Sequence, residues 1–190
     1  MPRYTVSGRL LKILEGITAL KTKIESASVA VAWIPAIKKD SFLRTSHSST
    51  AIEGNPLTLK EVEILSDGGK LPQARPKHVY EVLNYFAALR FIERHSTAKA
   101  ISEKDVRRLH SIIGQKALDR EPIGAYRPYQ VYVGGHIPPP ASSVPGLMKG
   151  LLGWLNNEGR ELPAVISSAI LHYRFEHIHP FGDGNGRVGR

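Results

Sequence analysis

His179-Pro180-Phe181-Gly182-Asp183-Gly184-Asn185-Gly186-Arg187-Val188-Gly189-Arg190 is the stretch on which the reading of this 190-residue chain turns. One imidazole, one carboxylate, closely spaced glycines, an amide and two guanidinium groups follow an apolar helical segment. Glycines at 182, 184 and 186 admit positive φ and leave backbone N–H groups uncovered. A nest of that kind at a helix start binds anions, because unsatisfied N–H groups and the helix dipole point outward together. Arg187 and Arg190 are three apart, so a helix beginning near Gly186 sets them on one face, able to fork onto phosphate oxygens. Asp183 supplies a hard oxygen ligand, which beside a polyphosphate points to magnesium. His179 can take a proton near neutral pH. A base, a metal carboxylate and a polyphosphate cradle make a phosphoryl- or nucleotidyl-transfer site.

The same stretch resembles the Fic family signature, His-x-Phe-x-Asp/Glu-Gly-Asn-Gly-Arg-x-x-Arg, and matches it at every specified position. The resemblance implies AMP transfer from ATP, with Mg2+ as cofactor, onto a Ser, Thr or Tyr hydroxyl of a protein substrate. It implies His179 as general base and Asp183 as the magnesium ligand. Gly184, Asn185 and Gly186 would form the anion hole, with Arg187 and Arg190 on the β- and γ-phosphates. Some relatives use other nucleotide donors, transfer phosphocholine or phosphate, or remove AMP. A reading from a different class is a non-catalytic nucleotide-binding or regulatory interaction module. Family members continue past the signature along the helix that Gly186 begins. The sequence as given ends at Arg190 and so reads as truncated, and a terminal carboxylate beside Arg190 would oppose phosphate binding.

Competing motifs fail on context. Gly184-Asn185-Gly186-Arg187-Val188-Gly189 has the dinucleotide-binding spacing, but it lacks a preceding strand and a following βαβ unit. His172, His177 and His179 do not have the H-E-x-x-H spacing of a zinc helix, so His172 reads as an ordinary helix histidine. Asp183-Gly184-Asn185-Gly186 lacks the acidic twelfth position of a calcium loop.

Upstream of the signature, Leu162 to about Ile178 is widely apolar and predicts a central helix that delivers His179 to the site. Val144, Leu147, Leu151, Trp154 and Leu155 predict another, ending near Gly159. Between Asp119 and Pro140 the character changes. Gln130-Val131-Tyr132-Val133 and His136-Ile137-Pro138 flank Gly134-Gly135, the pattern of a two-residue hairpin. With Tyr126-Arg127 and Pro138-Pro139-Pro140, the stretch Val131, Tyr132, Val133, Gly134, Gly135, His136 and Ile137 resembles the Fic flap. Its edge would hold a target segment as an added strand, presenting a hydroxyl to His179.

Further back, Ser102-Glu103-Lys104-Asp105 resembles a capping box that opens a helix to about Leu118. Lys77 to about His95 predicts a helix, after a loop over Gly68–Pro76. Thr58-Leu59-Lys60-Glu61 is a capping box for a helix to about Leu65. Gly54-Asn55-Pro56 reads as a helix stop, which sets Ser49 and Glu53 on one face of the last turn. Ser49-x-x-x-Glu53-Gly54 resembles the Fic inhibitory motif, [Ser/Thr]-x-x-x-Glu-[Gly/Asn]. By that resemblance Glu53 pairs with Arg190 and occupies the guanidinium meant for the γ-phosphate. Leu10, Ile13, Leu14, Ile17, Leu20 and Ile24 predict a helix from about Ser7 to Glu25 with one face packed in a core. Val29–Ile37 is apolar, β-branched and interrupted by Pro35, and its state is ambiguous.

The fold expected from these segments and the resemblance is mainly α, a Fic-type helical domain with one small β-hairpin flap. Residues 1–68 would be an N-terminal helical region carrying the inhibitory motif, and residues 69–190 the Fic domain. Apolar residues at 42% and charged residues at 23% suit an ordinary globular protein. No apolar run is long enough for a membrane span. Zero cysteines exclude disulfides and fit a cytoplasmic location. The net charge of +9 is spread along the chain without a basic run, which argues for a solvated surface over nucleic-acid binding and helps concentrate ATP. The expected partners are ATP and a protein substrate, with a homo-oligomer left open.

Overall fold

The computed structural model describes residues 4–27, 31–118 and 122–190. The chain divides into two units, Met1–Ser41 and Phe42–Arg190. Among the described residues there are eight α-helices and no strand: α1 Gly8–Ser26, α2 Ile34–Ile52, α3 Leu59–Ser66, α4 Pro76–His95, α5 Glu103–Gly114, α6 Val144–Asn156, α7 Ala164–Ile178 and α8 Asn185–Gly189. No helix among them is long and apolar enough to cross a membrane.

In the first unit, α1 starts where Ser7 accepts the Leu10 N–H at 3.2 Å. Its apolar face is where the expectation fails, because no residue of α1 is buried and Ile13, Ile17, Leu20 and Ile24 stay exposed. A 3.6-residue period specifies a helix with an apolar stripe, but it does not supply the element that covers the stripe. Val29 lies outside the described residues. From Val31 the ambiguous stretch is helical, a 3-10 turn at Val31–Trp33 leading into α2 with Pro35 in the first turn, where its missing N–H costs nothing.

In the second unit, two apolar clusters form the interior. Leu43, Leu57, Val62, Leu65, Val82 and Phe86 join the end of α2 to α3 and α4. Val106, Val144, Met148, Leu151, Leu152, Phe175, Ile178 and Phe181 join α5, α6 and α7 to the loop after α7. Both expected capping boxes are made, Thr58 with Glu61 and Ser102 with Asp105. The helix expected to run from Ser102 to Leu118 stops at Gly114. Asn84 of α4 donates to Ile113 O at 3.0 Å and to Gln115 O, satisfying carbonyls that another turn would have used.

The hairpin flap is a second correction. Asp119–Glu121, where the change of character was placed, lie outside the described residues. Beyond them only one antiparallel bridge forms, Val133 with His136 across Gly134-Gly135. The prolines at 138, 139 and 140 carry no N–H for a ladder, and the Gln130 side chain takes the Pro138 carbonyl at 2.8 Å in place of a backbone donor.

Candidate active site

The site begins where α7 ends. Ile178 is fully buried in the α5–α7 cluster, and His179 caps the helix in the left-handed region, φ 49° and ψ 63°. A non-glycine residue held there is strained, and surrounding contacts must keep it in place. The His179 N–H donates to Phe175 O at 2.8 Å, and its carbonyl accepts from Arg127 Nε at 2.8 Å. Burial holds the imidazole below the usual histidine range, and Arg127 and His136 nearby add to the shift. His179 is therefore neutral at neutral pH and able to accept a proton. Its Nδ1 lies 3.6 Å from Glu176 Oε2, and burial pushes that carboxyl above the usual range.

The next residues fold back as a braced loop. Phe181 is fully buried and lies parallel to His110 at 3.8 Å between ring centres. Asn185 grips both sides of the Phe181 backbone, accepting from its N–H and donating to its carbonyl, each at 2.9 Å. Gly184 takes the left-handed conformation, φ +80°, which turns the chain into α8. His110 Nδ1 accepts the Gly124 N–H at 2.9 Å, so Nε2 must carry the proton it gives to Asp183 O at 2.9 Å. His110 is thus a fully buried strut between the stretch before the flap and the signature loop.

The two arginines of the signature point to different partners. Arg190 reaches α2: its Nε donates to Ser49 Oγ at 3.0 Å, and one terminal nitrogen donates to Ser49 O at 2.9 Å and Glu53 Oε1 at 2.7 Å. Gly186 makes room for this, because a Cβ there would collide with Glu53 Oε1. Gly54, φ +86°, lets the chain leave α2 directly after Glu53. Arg187 is buried and turns the other way, to Glu81 Oε1 at 3.2 Å and Asp183 Oδ1 at 3.4 Å. Asp183 itself is half-exposed and also takes the Gly184 N–H on Oδ1.

The flap segment meets the same loop. Arg127, buried to 2% exposure, donates to Tyr129 O at 2.8 Å, Pro139 O at 2.6 Å and Ile178 O at 3.3 Å as well as to His179 O. Its own N–H reaches Pro180 O at 2.9 Å. His136 Nε2 donates to His177 O at 3.1 Å, and the two rings lie 4.7 Å apart. Tyr132 and Ile137 are exposed, with Val133 at the bridge between them.

The structure therefore brings together His179, Asp183, Gly184, Asn185, Gly186, Arg190, Ser49, Glu53 and Gly54, with Arg187 buried against Asp183 and Glu81, and it sets the flap beside His179 through Arg127. Sequence reading missed Glu81, His110 and the bracing role of Arg127. Each acts through a partner 52 to 106 residues away, so no local spacing marks it.

The Fic/DOC family model matches residues 100–190. Protein adenylyltransferase Fic of Drosophila willistoni is 33% identical over 195 residues, covering 98% of this chain and 37% of that protein. A crystal structure of a Fic family protein from Desulfovibrio desulfuricans superposes with a TM-score of 0.86 at 32% identity, covering 100% of this chain and 57% of the other. Fic-1 from C. elegans superposes at 0.81 with 30% identity, covering 94% and 54%. The chain spans little more than a third of the length of the curated relatives it matches. A matched domain, a shared fold and a signature loop that His179 opens lead to one conclusion: the chain belongs to the Fic/DOC family.

Proposed function

We propose that this protein transfers AMP from ATP to a Ser, Thr or Tyr hydroxyl of a protein substrate, and that Glu53 restrains the reaction from within the chain. The observation that carries the reading is the partly buried His179 held at the end of α7, followed in the same loop by the half-exposed Asp183 carboxylate and the left-handed Gly184 that turns into α8. His179 takes the proton of the incoming hydroxyl. Its oxygen bonds to the α-phosphorus, the α–β bond breaks, and pyrophosphate leaves. Backbone N–H groups of Asn185 and Gly186, beside the Gly184 N–H that Asp183 Oδ1 holds, meet the growing charge, so most of the catalysis is positioning and electrostatic stabilisation.

One carboxylate plus substrate phosphates is a donor set that magnesium accepts, and half-exposed Asp183 fits it. When bound there, magnesium neutralises phosphate charge. Arg190 is the guanidinium for the γ-phosphate. In the structure it is occupied by Ser49 and Glu53, a charge-assisted arrangement that competes with phosphate for the same nitrogen atoms. Residues 1–68 would then regulate and residues 69–190 catalyse. The exposed flap from Val131 to Ile137 would hold an extended segment of the target beside His179.

Incubation with labelled ATP, magnesium and a cell lysate tests the reading. Label on protein that disappears in His179→Ala supports it. Label that persists in that variant refutes the base role.

A further inference from the structure

The signature arginines differ in burial as well as direction. Arg190 keeps 23% of its side chain exposed, whereas Arg187 keeps 4%. A buried guanidinium needs a counter-charge, and removing one partner of such a pair is costly. Glu81, in the second turn of α4 and 7% exposed, supplies it through Oε1 at 3.2 Å. Arg187 Nε has no acceptor among the described residues, so the guanidinium rests on Glu81 and Asp183 alone.

The other oxygen of Glu81 is also committed. Oε2 accepts from Asn55 Nδ2 at 2.8 Å and lies 3.6 Å from His78 Nδ1. Asn55 in turn donates to His78 O at 2.9 Å and accepts the Leu57 N–H at 3.0 Å. Asn55 stands two residues after Glu53, just past the left-handed Gly54. A buried path therefore runs from the turn carrying Glu53, through Asn55, Glu81 and Arg187, to Asp183. It is separate from the Glu53–Arg190 pair on the partly exposed side.

We propose that Glu81 is a positioning residue, which holds Arg187 behind Asp183 and anchors the Glu53 turn to the same loop through Asn55. Arg187 then acts on the nucleotide through the loop it braces, with Arg190 left as the guanidinium that faces the phosphates. The anchor also lets Glu53 leave Arg190 without the turn detaching, because Asn55 stays tied to Glu81. The inference rests on reading the loop as a nucleotide site.

The test uses Glu53→Gly as the parent, so that Arg190 is open. Adding Glu81→Gln should raise the magnesium concentration for half-maximal auto-modification about tenfold, as loss of a partner behind a metal ligand commonly does. KM for ATP should move much less. Without nucleotide or metal, amide hydrogen exchange over residues 181–187 should speed up about tenfold, because the brace is lost. A packing role is separated by the double variant Glu81→Met with Arg187→Met, since apolar replacement of a buried pair commonly preserves folding. The double variant should regain the parent melting temperature while its magnesium dependence stays shifted. Recovery of both in the double variant, or an unshifted magnesium dependence in Glu81→Gln, overturns the proposal alone. A parent that neither transfers AMP nor binds ATP removes the nucleotide reading, and this proposal with it.

Discussion

The loop from His179 to Arg190 and the flap from Gln130 to Pro138 both meet the end of α7, the flap through His136 on the His177 carbonyl, yet they are built in opposite ways. In the loop, Phe181, Asn185 and Arg187 are buried to 5% exposure or less, and α2, α4 and α5 each supply a brace. The flap has one β-bridge, with Tyr132 at 72% and Ile137 at 67% exposure. Groups that must sit within a fraction of an ångström of reacting atoms need supports whose own rotamers are locked. A surface that receives an extended segment needs the reverse, an open edge with side chains free to be covered. The contrast divides the work between a preorganised pole and an open one.

Substitutions at each pole test that division. The largest effect belongs to the braced pole: His179→Ala should lower transfer by about a thousandfold or more while ATP binding remains measurable by calorimetry. Next comes Phe181→Ala, which empties a fully buried site and should cost about 3–5 kcal/mol in chemical denaturation. Glu53→Gly should raise auto-modification several-fold by freeing Arg190; an unchanged rate removes the inhibitory assignment. At the open pole, Tyr132→Ala with Ile137→Ala should raise KM for the protein target about threefold to tenfold and leave ATP affinity unchanged. A fall in ATP affinity there would mean that the two poles are not separate.

The smallest effect is a displacement along the pH axis. His179 has its pKa lowered from 6.5, chiefly by burial, so the neutral form persists to lower pH than in a free imidazole. The acid limb of the transfer rate should therefore lie below pH 6.5, and the fold should lose stability as pH falls from 6.5 toward that limb, because the unfolded imidazole takes its proton first. An acid limb above that value would contradict the burial of His179.

Local chemistry was legible and long-range partnership was not. The capping boxes at Thr58 and Ser102 act within four residues, and both helices begin where those residues place them. The signature was legible because its backbone demands, a left-handed Gly184 and a crowded Gly186, are written into residue types at fixed spacing. The end of α5 was not, since Asn84 captures its last carbonyls from another helix. Glu81 looked like any helix glutamate until Arg187 was found beside it, 106 residues further along. The face of α1 shows the same limit from the other side: its period gave the helix, and nothing in the period says what covers it. The flap failed as a hairpin because alternation counts side chains, whereas a ladder also needs the N–H groups that the prolines remove.

The most direct measurement is a crystal structure of the Glu53→Gly protein with magnesium and a non-hydrolysable ATP analogue. The triphosphate should lie along Gly184–Gly186, with the γ-phosphate on Arg190, Arg187 still on Glu81, and the α-phosphorus facing His179. A nucleotide bound elsewhere, or a loop that stays empty at saturating nucleotide, would contradict that reading.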